Sequence, residues 1–179
     1  MRKSNICYTA LKRRIFFCII AAIISAIAIA LFAYMMSIKP QIFDKSAVPG
    51  TPSGISEEKG YTEFKADGVC SAVLCGAPDI ENKTVKLFLT NPAVNDVCIR
   101  AEIYIADIEY GADGKIAGAT PGKLLGKSGF IRPGEYVEDI ELKKDLKDDM
   151  TYIMIKIATY DIETKSSKGF FYVNTIFYK

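Results

Sequence analysis

Residues 97–105, VCIRAEIYI, alternate without a break. Val97, Ile99, Ala101, Ile103 and Ile105 fall on one side of an extended strand and Cys98, Arg100, Glu102 and Tyr104 on the other. Successive strand side chains point to opposite faces, so this is a strand with one apolar and one wet face. The device recurs on both sides of it. Residues 84–90 (TVKLFLT) put Val85, Leu87 and Leu89 together, and residues 151–159 put Ile153, Ile155 and Ile157 together. In residues 136–142, Tyr136, Ile140 and Leu142 share a face that Glu138 interrupts. The last run, 169–178 (GFFYVNTIFY), is aromatic and β-branched, as strands prefer.

Turn residues separate these runs: Asn91-Pro92, Gly111 to Gly114, Pro121-Gly122, Pro133-Gly134 and the charged stretch 143–149. From residue 61 onward no helical period is sustained. Several short strands with one wet face each predict an all-β, antiparallel, immunoglobulin-like β-sandwich over residues 61–179. Its expected core holds Val85, Leu87, Leu89, Val97, Ile99, Ala101, Ile103, Ile140, Leu142, Ile153, Ile155, Ile157 and either Phe171 and Val173 or Tyr172 and Ile176. There is no Trp, so the Cys…Trp…Cys spacing of antibody domains is missing.

Ahead of the strands the chain changes character twice. Residues 15–36 (IFFCIIAAIISAIAIALFAYMM) carry no charge. As a helix rising about 1.5 Å per residue they span roughly 33 Å, enough for a hydrocarbon layer of about 30 Å. The chain has 23 Lys+Arg against 21 Asp+Glu. Five of the basic residues (Arg2, Lys3, Lys12, Arg13, Arg14) and none of the acids lie within residues 1–36. The positive-inside rule therefore predicts one transmembrane helix at 15–36, a cytoplasmic basic segment at 1–14 and an extracellular remainder. A cleaved signal peptide is the competing reading, since Ala26, Ala28 and Ala30 supply small residues at alternate positions; the apolar run continues past them to Met36. Residues 37–60 hold Pro40, Pro49, Pro52, Gly50, Gly54 and Gly60 and read as a linker of at most about 80 Å. The alternative is that part of it, from Ile55, forms an edge strand.

The order Gly60-Tyr61…Phe64-Lys65-Ala66, Asn91-Pro92…Asn95-Asp96-Val97-Cys98, Leu124-Leu125…Ser128-Gly129-Phe130-Ile131-Arg132-Pro133-Gly134, Ile140-Glu141-Leu142 and Tyr160-Asp161 resembles a group of uncharacterised membrane-anchored surface proteins of Gram-positive anaerobic bacteria. The similarity spans residues 60–162. It implies one N-terminal helix, a linker and an all-β outer domain, and it carries no activity. The chain departs from the group in residues 109–121, inserted between two strands, and in its short C-terminal end.

Candidate chemistry is sparse. With no His, Ser-His-Asp and Cys-His catalysis, His-based zinc sites and the imidazole pH switch are excluded. No catalytic residues, cofactor or metal site are expected. Beyond residue 36, 18 basic residues stand against 21 acids, which leaves no footprint for nucleic acid. Cys70, Cys75 and Cys98 lie in the outer part; they read as buried thiols or as one bridge from Cys70 or Cys75 to Cys98. Asp107, Glu109 and Asp113 read as a solvated hairpin around Asp113-Gly114 rather than a calcium loop, because the spacing of a helix–loop–helix calcium site is absent. A Lys86–Asn174 isopeptide bond is a further alternative, against which Lys86 alternates with the aliphatic face and should be solvated. For binding, the last strand offers Phe170, Tyr172 and Tyr178 as an aromatic edge. The function expected is a non-enzymatic, single-pass surface module that binds a surface protein or cell-wall component. The alternative is an accessory subunit of a membrane secretion or conjugation machine, with Ala21, Ala22, Ser25, Ala26 and Ala28 facing partner helices.

Overall fold

In the computed structural model the described residues are 19–32, 43–53, 60–66 and 70–178. The chain divides into two compact units, Met1–Pro40 and Gln41–Lys179. In the first, residues 19–32 form helix α1, with Ile19, Ile23, Ile24, Ile27, Ile29, Leu31 and Phe32 exposed. Among the described residues no helix is long and apolar enough to cross a membrane. The basic segment 1–14 and the ends of the expected span, 15–18 and 33–36, lie outside the described residues.

The second unit is all-β. Its strands are β1 (Val48–Pro49), β2 (Tyr61–Ala66), β3 (Cys70–Cys75), β4 (Ile80–Glu81), β5 (Thr84–Asn91), β6 (Val97–Tyr110), β7 (Ile116–Lys127), β8 (Glu135–Glu141), β9 (Met150–Asp161) and β10 (Ser167–Tyr178). One sheet runs β1-β8-β5-β3-β2, with β4 also on β5; the other runs β10-β9-β6-β7. Neighbouring strands pair antiparallel. The apolar faces meet in one core that joins Leu74, Val85, Leu87 and Leu89 of the first sheet to Ile99, Ile103, Ile153, Ile155, Ile157 and Val173 of the second.

Pairing settles what alternation left open. In β10, Phe171 lies opposite Ile157 and Val173 opposite Ile155, so they face inward with Phe177. Tyr172 and Ile176 stand on the other face. In β8 the expected inward Tyr136 is replaced by Val137, which is fully buried opposite Leu89. The cause is an irregularity in β5, where Phe88 has φ 50° and the register shifts between Lys86 and Leu89. A bulge of this kind breaks period two, so Val137 and Ile140 both point inward. The charged stretch 143–149 also hides Leu146, which plugs the core.

Residues 43–53, which composition assigns to the linker, pack on the β unit instead. Phe43 bridges to Phe130, and Val48 and Pro49 pair with Tyr136 and Glu135. The Asp44 amide donates to the Phe130 carbonyl at 2.9 Å, and the Gly129 amide donates to Asp44 Oδ2 at 2.6 Å. The alternative strand from Ile55 falls on residues 54–59, outside the described residues.

Two segments quoted for the resemblance have structural work here. Asn91, fully buried, donates from Nδ2 to the carbonyls of Val97 and Ile131. Asn95 Nδ2 donates to Asn91 Oδ1 and to the Ser71 carbonyl, and Asn95 Oδ1 accepts from the Ser71 amide. These side chains satisfy backbone groups where β5 crosses to β6, as buried polar groups require. In the run 128–134, Ser128 Oγ accepts from the Ala101 amide, and Ile131 exchanges backbone bonds with Ile99. Gly134 adopts φ 77°, which glycine reaches without strain.

Candidate interaction surface

The outward face of the β10-β9-β6-β7 sheet carries most of the unusual side chains. Phe170, Tyr172 and Tyr178 all lie on β10, a sheet edge, and are 56%, 40% and 55% exposed. Phe170 and Tyr172 are brought together edge to face, with ring centroids 5.4 Å apart. Lys156 Nζ lies 4.6 Å from the centre of the Phe170 ring, within range of a cation–π attraction. Tyr178 stands apart at the far end of the strand, where Asp79 bridges to it.

Beside the aromatics is a polar group that the aromatic pattern alone does not reveal. Arg100 donates to Glu102 at 2.9 Å and to the Tyr160 hydroxyl at 2.7 Å. The Tyr104 hydroxyl donates to the other Glu102 oxygen at 2.9 Å, and Lys156 lies 3.6 Å from it. The signal was legible in part: Arg100, Glu102 and Tyr104 occupy alternate positions of one strand. The register that sets Lys156 opposite Glu102 was not. Burial works against the Glu102 carboxylate, but the Tyr104 hydroxyl, Arg100 and Lys156 outweigh it and hold its pKa below the usual value. Burial, with the Glu102 carboxylate, pushes Tyr104 up to about 12. A paired, hydrogen-bonded carboxylate of this kind is a fixed anchor rather than a poised acid.

At one end of the same face the clamp of residues 43–44 closes a second, smaller cluster of Cys98, Phe130, Ala158 and Tyr160, with Phe43 packed on it. Phe130 meets Tyr160 edge to face at 4.7 Å. Arg132 lies 3.6 Å and Lys165 4.4 Å from the centre of the Phe43 ring. Cys98 carries a free, buried thiol in this cluster, whereas Cys70 carries one in the main core. Each is pushed up by burial. The alternative of a bridge from Cys70 or Cys75 to Cys98 is not formed: Cys70 and Cys75 lie on β3 of one sheet, and Cys98 lies on β6 of the other, in the cluster on its outward face.

At the other end, an apolar groove of about 540 Å³ is lined by Ala106, Ile108, Ile116 and Ala119 of the β6–β7 hairpin, by Tyr152, and by Ile176 and Tyr178. The hairpin tip closes through Gly111 and Lys115, with Gly114 at φ 75° and Asp113 accepting from the Lys115 amide. Among the described residues no three metal-ligating side chains converge. Lys86 and Asn174 sit in different sheets and are not brought together. Comparison of the chain with protein-family models, with curated proteins and with solved structures finds no match.

Proposed function

We propose that this chain is a membrane-anchored, extracellular β-sandwich module of immunoglobulin-like connectivity that binds a surface protein or cell-wall component through the β10 edge. The observation that carries the reading is β10 itself, an edge strand with Phe170, Tyr172 and Tyr178 in solvent. An exposed sheet edge can recruit a partner by strand addition, with side-chain contacts giving specificity. The connectivity supports the fold name: β6–β7 and β9–β10 are hairpins within one sheet, while the chain changes sheets between β5 and β6, β7 and β8, and β8 and β9. The anchor rests on the uncharged run 15–36, the basic asymmetry before it and the apolar, exposed α1.

Two measurements test this. Protease added to wall-stripped cells should remove the β unit and spare the N-terminus; protection until lysis reverses the topology. Replacing residues 15–36 by an unrelated anchor should preserve function. Loss of function on that exchange favours the accessory subunit of a secretion or conjugation machine, whose helix would contact partner helices through Ala21, Ser25 and Ala28.

A further inference from the structure

Residues 43–50 hold to the β unit mainly through one short segment, residues 129–136, where β7 passes to β8. The Asp44 amide donates to the Phe130 carbonyl, the Gly129 amide to Asp44 Oδ2, and the Gly50 amide to the Gly134 carbonyl at 2.8 Å. Val48 and Pro49 pair with Tyr136 and Glu135, and the Phe43 ring lies against Phe130 and Arg132. Lys165 of the β9–β10 turn, and the main core at Ala47, add contacts from outside the segment.

The same segment is fixed from its other side by bonds that do not involve residues 43–50. Ser128 Oγ accepts from the Ala101 amide beside it. Ile131 exchanges backbone bonds with Ile99, and its carbonyl also accepts from Asn91 Nδ2. The Gly134 amide donates to the Asn91 carbonyl. Ile131 is fully buried in the main core, whereas none of residues 43–50 is buried. The cradle therefore stands without the strap, and the strap can leave without drawing a core residue after it. A segment with so little buried surface and with exposed backbone bonds belongs to the low end of local stability.

Connectivity sets where a load falls. Tension in the chain that precedes Phe43 reaches Phe43 and Asp44 before β1 and before any other strand of the two sheets. Release of residues 43–50 lengthens the connection by at most about 29 Å. Tension does more work on the longer of two states and so shifts the balance toward it. Release also uncovers Phe130, Arg132 and Lys165, which the Phe43 ring covers.

We infer that residues 43–50 are a load-released strap. Docked, they shorten the tether between anchor and β unit; under tension they peel from residues 129–136 and lengthen it while the sandwich stays folded. The inference rests on the anchor of the proposed reading, which supplies the load, and does not involve the β10 edge.

The test pulls single full-length chains, held on the N-terminal side by a bilayer nanodisc and at the C-terminal end by a handle. A reversible step of at most about 29 Å should precede unfolding of the β unit. Val48→Cys with Tyr136→Cys sets thiols at opposed positions of an antiparallel pair, within reach of a disulfide. Oxidation should cut the step to at most about 18 Å, the reach of residues 43–47, and reduction should restore it. Asp44→Ala takes the carboxylate from the Gly129 amide. It should raise the release rate at a fixed load at least about tenfold and leave the unfolding force of the β unit unchanged. Ile103→Val, in the main core, should lower that unfolding force and leave the first step where it is. A first step that is absent, that oxidation does not shorten, or that responds to Ile103→Val and not to Asp44→Ala overturns the strap. Chains that the bilayer fails to hold, but that give the same step between handles at both ends, keep the strap and overturn the anchor as the source of its load.

Discussion

The main core and the cluster around Phe43 sit on opposite sides of the same sheet and are built on different principles. The core is aliphatic and redundant. Val85, Leu87, Leu89, Ile99, Ile103, Ile153, Ile155 and Ile157 come from three strands, and each strand delivers its share by simple alternation. The smaller cluster is aromatic and cationic, and it depends on singular contacts. One phenylalanine from an irregular segment, Phe43, is held between Arg132 and Lys165, and one carboxylate, Asp44, is fixed on one glycine amide. Redundant packing spreads its energy over many residues, whereas a clamp of this kind opens when one contact fails. The sandwich thus combines a global fold that few substitutions reach selectively with a local closure that a single atom can undo.

The largest effect should come from the centre of the core. Ile155 is fully buried between Ile103 on β6 and Val173 on β10. Ile155→Asp puts an unpaired carboxylate there, at a cost of at least about 4 kcal/mol, comparable to the stability of many domains. Circular dichroism should show loss of the β signal at all temperatures; a cooperative melt near that of the parent would mean that the buried face is misassigned. Next in size is Asn91→Ala. It removes the side-chain donor from the Val97 and Ile131 carbonyls, of which the second keeps the Ile99 amide, and takes an acceptor from Asn95. Stranding buried polar groups costs about 2–4 kcal/mol in total, so urea unfolding should remain cooperative with a clearly lower midpoint.

Gly129→Ala sharpens the contrast between the two regions. A Cβ at Gly129 would lie 2.5 Å from the Asp44 nitrogen and 2.6 Å from its Cα, both backbone atoms that cannot rotate away. The clamp should spring open at a cost of about 1–3 kcal/mol while the core survives. The two thiols report the two regions separately. Labelling of Cys98 should accelerate, since it lies under Phe130 in the small cluster, and labelling of Cys70 in the main core should not. Equal acceleration at both would show that the clamp and the core unfold as one unit.

What could be read from the sequence follows the same division. β6 and β9 were legible because each delivers its apolar residues at every second position and nothing interrupts them. Val137 was not, because the irregularity at Phe88 is a property of paired strands that no single strand records. In β10 both faces are apolar, so only the pairing of Phe171 with Ile157 and Val173 with Ile155 decides which is inside. The clamp escaped because Pro49 and Gly50 give residues 43–53 the composition of a tether, although Phe43 and Asp44 find partners more than eighty positions away. Of the candidate surface, Phe170, Tyr172 and Tyr178 were visible as an aromatic run, whereas the link from Glu102 to Lys156 exists only across strands.

The smallest expected effect concerns that link and has opposite signs at the two ends of the pH scale. The Glu102 pKa is held below its usual value in the folded chain. As pH falls below about 4.3 the unfolded chain therefore takes up the proton first, so the carboxylate's contribution is present above that pH and is lost as pH drops through the folded value. Tyr104 behaves in the reverse sense. Its folded pKa is pushed up to about 12, so its contribution is complete below the unfolded value of about 10 and is lost as pH rises above it. Melting temperature against pH should therefore fall on both flanks. Glu102→Gln should remove part of the acid slope and also ease the alkaline one, because its charge helps to raise Tyr104. Tyr104→Phe should remove the alkaline part and also soften the acid one, because the Tyr104 hydroxyl helps to hold the Glu102 pKa down. Asp161 adds an acid-side slope of its own, since the Thr164 and Glu163 amides hold its pKa down, so some fall at low pH should persist in Glu102→Gln. If the alkaline flank is unchanged in both variants, the Tyr104–Glu102 bond does not form in solution, and the polar group on the outer face is a set of separate side chains.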